Sequence, residues 1–124
     1  MIFLVDDDTD DLMLFKDAIN EIDDSIQIVT AANGVDALAK LKEGISPQPD
    51  FIFIDLNMPL MNGIQCLQEI KKLPVISAIP VIVYSTSSYE KDMLQTINNG
   101  AFQYMVKPFS FQELCDKLRK TLGL

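Results

Sequence analysis

The stretch Phe51-Ile52-Phe53-Ile54-Asp55-Leu56-Asn57-Met58-Pro59 sets the reading of this chain. Four apolar residues stand in a row without alternating with polar ones, the mark of a strand covered on both faces. A single carboxylate follows at once. Pro59 and Asn62-Gly63 then turn the chain, and apolar positions return at helical spacing over 64–73. A strand, an acid-bearing loop and a helix make one unit of a parallel sheet.

The same unit recurs on both sides. Towards the N-terminus, 2–5 is a continuous apolar run, and 9–21 carries Leu12, Phe15, Ala18 and Ile19 at helical spacing behind an acidic first turn, Asp10 and Asp11. A strand over 27–31, the Asn33-Gly34 turn and a helix over 35–43 closed by Gly44 come next. A connector with Pro47 and Pro49 leads into 51–54. Towards the C-terminus, Pro80 opens a strand over 81–84. Ser87-Ser88-Tyr89-Glu90 has the form of a capping box before a helix that ends at Asn98-Asn99-Gly100. A strand over 103–106 precedes a second such box, Ser110 to Glu113, and a last helix to about Thr121. Five strands alternating with five helices predict an α/β fold with a doubly wound parallel sheet, right-handed crossovers and helices on both faces.

The chain has 124 residues, enough for one domain with its own core and no disulfide or metal staple. Asp and Glu number 18 against 10 Lys and Arg, a net charge of -8, which argues against phosphate-backbone binding and against an anionic membrane surface. No apolar run approaches a membrane span, and the N-terminus carries no basic segment or cleavage site. Histidine is absent, which removes Ser-His-Asp and Cys-His nucleophilic systems and histidine-ligated zinc. Cys66 and Cys115 read as two small buried hydrophobes in a reducing compartment, so the expected location is cytoplasmic. Carboxylates, hydroxyls, lysine and a hard metal remain for chemistry.

In such sheets function sits beyond the carboxyl ends of the strands. There the sequence places Asp6-Asp7-Asp8, Asp55, Ser85-Thr86-Ser87-Ser88 and Lys107-Pro108, each group beginning just past an apolar strand. Asp8 and Asp10 are assigned to capping the first helix. Asp6, Asp7 and Asp55 would crowd one crevice, and like charges there push carboxyl pKa values up. A hard cation such as Mg²⁺, which takes carboxylates, a backbone carbonyl and waters, or the Lys107 ammonium would relieve this. A carboxylate held beside such a cation and a lysine can attack phosphorus and form an acyl phosphate. A cis Lys107–Pro108 bond would aim the lysine into the crevice. Phe109 and Phe111 are assigned to the core in preference to a partner surface.

Asp6-Asp7 after the first strand, Phe51 to Pro59 with Met61-Asn62-Gly63, Ile79-Pro80 through Ser85, and Tyr104-Met105-Val106-Lys107-Pro108-Phe109 together resemble the receiver domain of two-component response regulators, across essentially the whole chain (1–124). The resemblance implies a flavodoxin-like (βα)₅ sheet of strand order 2-1-3-4-5. It implies Asp55 as the acceptor of a phosphoryl group from a histidine kinase's phosphohistidine or from a phosphotransfer protein, with the receiver catalysing its own transfer and its slow dephosphorylation. It implies Mg²⁺ held by Asp6, Asp7, Asp55 and the Asn57 backbone carbonyl. Ser85 and Lys107 would hold the phosphoryl group, and Ser85 and Tyr104 would be the switch residues. The readout surface would be the fourth helix, fifth strand and fifth helix, contacting a downstream protein target or a second copy of the chain. Ser85 stands where Thr is commoner in the family. The long connector is similar to that of single-domain regulators that partner phytochrome-type kinases.

Two other readings of the strand-end acids differ in chemistry. A haloacid-dehalogenase-type phosphohydrolase would use Asp6 in a D-x-D-x-[T/V] pattern, but Asp10 stands where Thr or Val belongs. An unphosphorylated interaction module would need none of the acids, hydroxyl and lysine that are present. A flavodoxin-like flavin site is excluded by three aspartates where phosphate would bind. The short distance from Met1 to the first strand leaves open whether the chain is a stand-alone receiver or a piece of a longer regulator.

Overall fold

β1 (Ile2–Val5) pairs in parallel with β2 (Ile28–Ala31) on one side and β3 (Phe51–Ile54) on the other. β4 (Val81–Ser85) and β5 (Gln103–Val106) extend the sheet, giving the order β2-β1-β3-β4-β5. The computed structural model describes all residues 1–124. The helices are α1 (Thr9–Ile22), α2 (Gly34–Glu43), α3 (Gly63–Ile70), α4 (Glu90–Asn98) and α5 (Phe111–Leu122). This is the flavodoxin-like α/β architecture expected from the sequence.

The sheet is apolar on both faces because the strands lie between two helical layers. Phe3, Val5, Ile52, Ile54, Val81 and Val83 point to one side, where α2 supplies Ala37, Leu38 and Leu41 and α3 supplies Ile64, Cys66, Leu67 and Ile70. Ile2, Leu4, Phe53, Ile82, Tyr84 and Met105 point to the other, against Phe15, Ala18 and Ile19 of α1 and Leu114, Cys115 and Leu118 of α5. Phe15 meets Phe53 and Tyr84 edge-on at 4.9 and 5.7 Å between ring centroids. Both cysteines are buried and unpaired. Burial pushes the Cys66 thiol up to about 12, which makes it an inert hydrophobe.

Four sequence expectations give way. Lys107–Pro108 is trans, and the cis bond is Ser46–Pro47. Phe109 is fully exposed and Phe111 is also exposed. Both lie past the sheet edge, one turn ahead of the Leu114–Leu118 stripe that α5 buries. Ser87 does not cap α4, which starts at Glu90 behind Tyr89 with no side-chain cap. The Ser87 hydroxyl instead donates to Asp92. α3 ends at Ile70, ahead of Pro74, and a 3₁₀ turn (Ile76–Ala78) fills the approach to β4. The caps at Asp8 and Ser110 form as read, and Asn33, read only as a turn, caps α2, which starts at Gly34. Asn62 and Gln65 add a full capping box to α3 that the sequence reading had not marked.

Register brings the strand ends level. Val5 pairs with Ile54, and the Asp55 N–H donates to the Val5 carbonyl at 2.9 Å. Ser85 pairs with Val106, and the Lys107 N–H donates to the Ser85 carbonyl at 2.7 Å. One glycine fixes the loop after β3. A Cβ on Gly63 would lie 2.5 Å from the Asp55 carbonyl oxygen and 2.7 Å from the Leu56 Cα, both backbone atoms. Gly63→Ala is therefore expected to cost about 2 kcal/mol by overpacking, read from urea denaturation, and to displace the loop that carries Asp55.

Candidate functional site

Four polar residues are buried in this molecule: Asp6, Asp55, Ser85 and Thr96. The first three stand at the carboxyl edge of the sheet, where Asp55 reaches an open cavity of about 580 Å³ that no hydrophobic residue lines. The Asp6 side chain is 1% exposed, the carboxylate groups of Asp6, Asp7 and Asp55 can place one oxygen each within 4.8 Å of one another, and Asp7 faces solvent. This all-oxygen cluster fits a hard divalent cation by donor chemistry and by charge.

Lys107 reaches the same place through a trans bond. Its Nζ lies 2.7 Å from Asp11 Oδ2, 2.9 Å from Asp6 Oδ2 and 3.3 Å from Asp55 Oδ2. The ammonium also sits 5.1 Å from the Tyr84 ring centroid, a favourable cation–π distance. Burial works against its charge, but the hydrogen bond to Asp11, the charge of Asp55 and the hydrogen bond to Asp6 outweigh that and raise its pKa. For Asp55 the charged form is disfavoured instead. Burial, with the neighbouring Asp6 charge, raises its carboxyl to about 6 although Lys107 pulls it down. The remaining Asp55 oxygen accepts the Asn57 N–H at 3.3 Å, and Asp6 Oδ1 accepts the Asp8 N–H at 2.9 Å.

Ser85 is fully buried at the end of β4, and its hydroxyl oxygen accepts the Ser87 N–H at 3.3 Å. Its neighbour Thr86, placed at the strand end by the sequence but given no role, lines the cavity instead. Asn57 lines the cavity too. Tyr104 on β5 is half-buried, and its hydroxyl donates to the Ser87 carbonyl at 2.8 Å, tying β5 to the loop before α4. Tyr104→Phe removes that bond and should cost about 1 kcal/mol, with faster amide exchange confined to 86–89. Asp11 is the residue sequence reasoning placed wrongly. It was assigned to the helix dipole, but its carboxylate turns into the cavity, and only the length of the α1 first turn against the emergence of Lys107 could have signalled this.

This fold with this acidic pocket belongs to the response regulator receiver domain family, whose model matches residues 2–119. The chain is thus a signalling domain of two-component systems, a type that takes a divalent cation in its acidic pocket and works between sensor histidine kinases and downstream targets. The hydrolase reading of Asp6 gives way to this membership.

Among relatives, the chemotaxis protein CheY of Bacillus subtilis is 33% identical over 123 residues, covering 98% of this chain and 97% of that protein. The probable C4-dicarboxylate response regulator DctR of the same organism is 32% identical over 119 residues, 96% of this chain but 50% of DctR. The chain thus spans half or less of several relatives that it matches. The phosphorylated cyanobacterial phytochrome response regulator RcpA superposes with a TM-score of 0.87 at 31% identity, covering 97% of this chain and 89% of that one. The Mn²⁺-bound response regulator Rcp1 gives 0.83 at 28% identity, covering 99% and 91%. No helix is long and apolar enough to cross a membrane.

Proposed function

We propose that Asp55 is the phosphoacceptor of this receiver and that Mg²⁺ is its metal. The observation that carries the reading is the Asp6-Asp7-Asp55 cluster with Lys107 reaching its edge. A carboxylate oxygen of Asp55 attacks the phosphorus of a phosphohistidine. The P–N bond breaks, the P–O bond of the acyl phosphate forms, and the departing imidazole takes up a proton. Lys107 pairs with the phosphoryl oxygens, and Ser85, released from Ser87, donates its hydroxyl to one of them. Mg²⁺, held by Asp6, Asp7, Asp55 and the Asn57 carbonyl, would neutralise charge on the transferring group. Slow return follows when water attacks phosphorus, freeing inorganic phosphate and the Asp55 carboxylate.

The doubly charged acyl phosphate then biases the loop before α4 through Ser85 and Tyr104. The readout face is α4, β5 and α5, where Leu94, Ile97 and Phe102 lie exposed. It receives a downstream protein or a second copy of the chain, and neither nucleic acid nor membrane takes part. Residues 1–124 form one receiver unit that works in the cytoplasm. Likeness to the phytochrome response regulator RcpA supports a phytochrome-type kinase as the donor. Intact mass spectrometry with acetyl phosphate tests the reading. Wild type should gain one phosphoryl group only with Mg²⁺, and Asp55→Asn should gain none. An adduct of equal yield on Asp55→Asn would refute it.

A further inference from the structure

The shortest of the three contacts made by Lys107 goes to a residue with no role in the mechanism above. Asp11 Oδ2 is 2.7 Å from Nζ, against 2.9 Å for Asp6 and 3.3 Å for Asp55. An ammonium has three N–H donors. With three carboxylates around it, every donor of Lys107 is in use, and the weakest contact is to the group that would be phosphorylated.

The ordinary explanation of Asp11, an acid in the first turn of a helix, does not account for this. The open end of α1 is already capped by Asp8, whose Oδ1 accepts the N–H of Asp10 at 2.9 Å and of Asp11 at 3.2 Å. Asp10, exposed in the same turn, is free to serve the helix dipole. The Asp11 carboxylate therefore turns from solvent towards Lys107 without any need of the helix for it there.

A phosphoryl group on Asp55 needs a Lys107 donor, and one partner must yield it. Asp6 is 1% exposed and has no water to replace the lysine, so giving up that contact is costly. The Asp11 side chain is 29% exposed and can fall back on water. Asp11 is the partner that gives way, and the free energy of its release is subtracted from the stability of the phosphorylated arrangement.

We propose that Asp11 is a positioning residue that competes with the phosphoryl group on Asp55 for the Lys107 ammonium and so holds the receiver towards its unphosphorylated state. The proposal rests on Asp55 being the phosphoacceptor. It assigns Asp11 a thermodynamic brake, removable without touching the acceptor, the metal cluster or the lysine.

The probe is beryllofluoride, a mimic of the phosphoryl group, titrated at saturating Mg²⁺ and followed by fluorine NMR. Asp11→Asn keeps the shape of the side chain and exchanges an anionic acceptor for a weaker neutral one. It should bind beryllofluoride about fivefold to tenfold more tightly than wild type. Asp10→Asn removes the same formal charge from the same turn without touching Lys107, and should stay within about twofold of wild type. Asp11→Glu, which restores the charge, should return towards wild-type affinity. The proposal is overturned if Asp11→Asn lies within twofold of wild type or binds more weakly. It is equally overturned if Asp10→Asn tightens binding as much, since the effect would then be a general field. Absence of beryllofluoride binding by wild type would instead remove the Asp55 reading itself, and this inference with it.

Discussion

Lys107→Met should lower the stability of the metal-free protein by about 3 kcal/mol at pH 7, because removing one partner of a buried ion pair leaves the other charges uncompensated. The Lys107 side chain is 8% exposed, and the two carboxylates beneath it, Asp6 and Asp55, are 1% and 10% exposed. Methionine fills the same volume and still packs on Tyr84, so the loss is electrostatic and not a cavity. Two dependences identify it. Acidification should shrink the loss, because protonated carboxyls no longer repel. Mg²⁺ should recover most of it, because a divalent cation bound only by the folded state adds stability by mass action. Denaturant titrations in EDTA and in Mg²⁺ read both. A loss unchanged by metal would mean that the lysine matters for packing alone.

Asp55→Asn should do the opposite. The folded-state pKa of Asp55, about 6, lies above the ordinary aspartate value of 3.8. Between these values the folded chain binds more protons than the unfolded one, so stability falls as pH rises through that window. The ionised carboxylate thus weighs on the fold at pH 7, and the burden is absent once both states are protonated. Asparagine removes the charge and keeps one oxygen, which serves the Asn57 N–H, while Lys107 retains Asp6 and Asp11. The variant should gain about 2 kcal/mol in metal-free buffer at pH 7, roughly 8 °C in Tm for a chain of this length. The gain should be complete above pH 6, decline as pH is lowered and vanish near pH 4. Mg²⁺ should stabilise wild type far more than the variant. The acceptor carboxylate therefore costs stability that a purely structural residue would not cost, as is common where function sets the local chemistry.

The topology was legible because the strands are short and mostly apolar and the ends of β1, β3, β4 and β5 are marked by an acid, a hydroxyl or a lysine. Period and punctuation together give five parallel units. The strand-end rule then gathers Asp6, Asp7, Asp55 and Lys107 before any coordinate is known. What escaped depends on distance rather than pattern. The first turn of α1 carries two acids that read alike, and only the fold shows that Asp10 faces water while Asp11 faces Lys107. Phe109 and Phe111 look like core residues by type, but they emerge where the sheet has ended and no helix covers them. Ser87 has the spacing of a cap, yet Asp92 takes its hydroxyl and α4 begins two residues later than that cap would require. The reach of Lys107 needed no cis bond, because β5 delivers its backbone beside the Ser85 carbonyl.

The central claim is that one particular carboxylate, among six aspartates crowding a single edge, forms the acyl phosphate. Borohydride reduces an acyl phosphate to the alcohol, converting the modified aspartate to homoserine. Wild type treated with acetyl phosphate and Mg²⁺, reduced, digested and sequenced by tandem mass spectrometry, should show homoserine at position 55 and no other. Homoserine at position 6 or 7 would contradict the account.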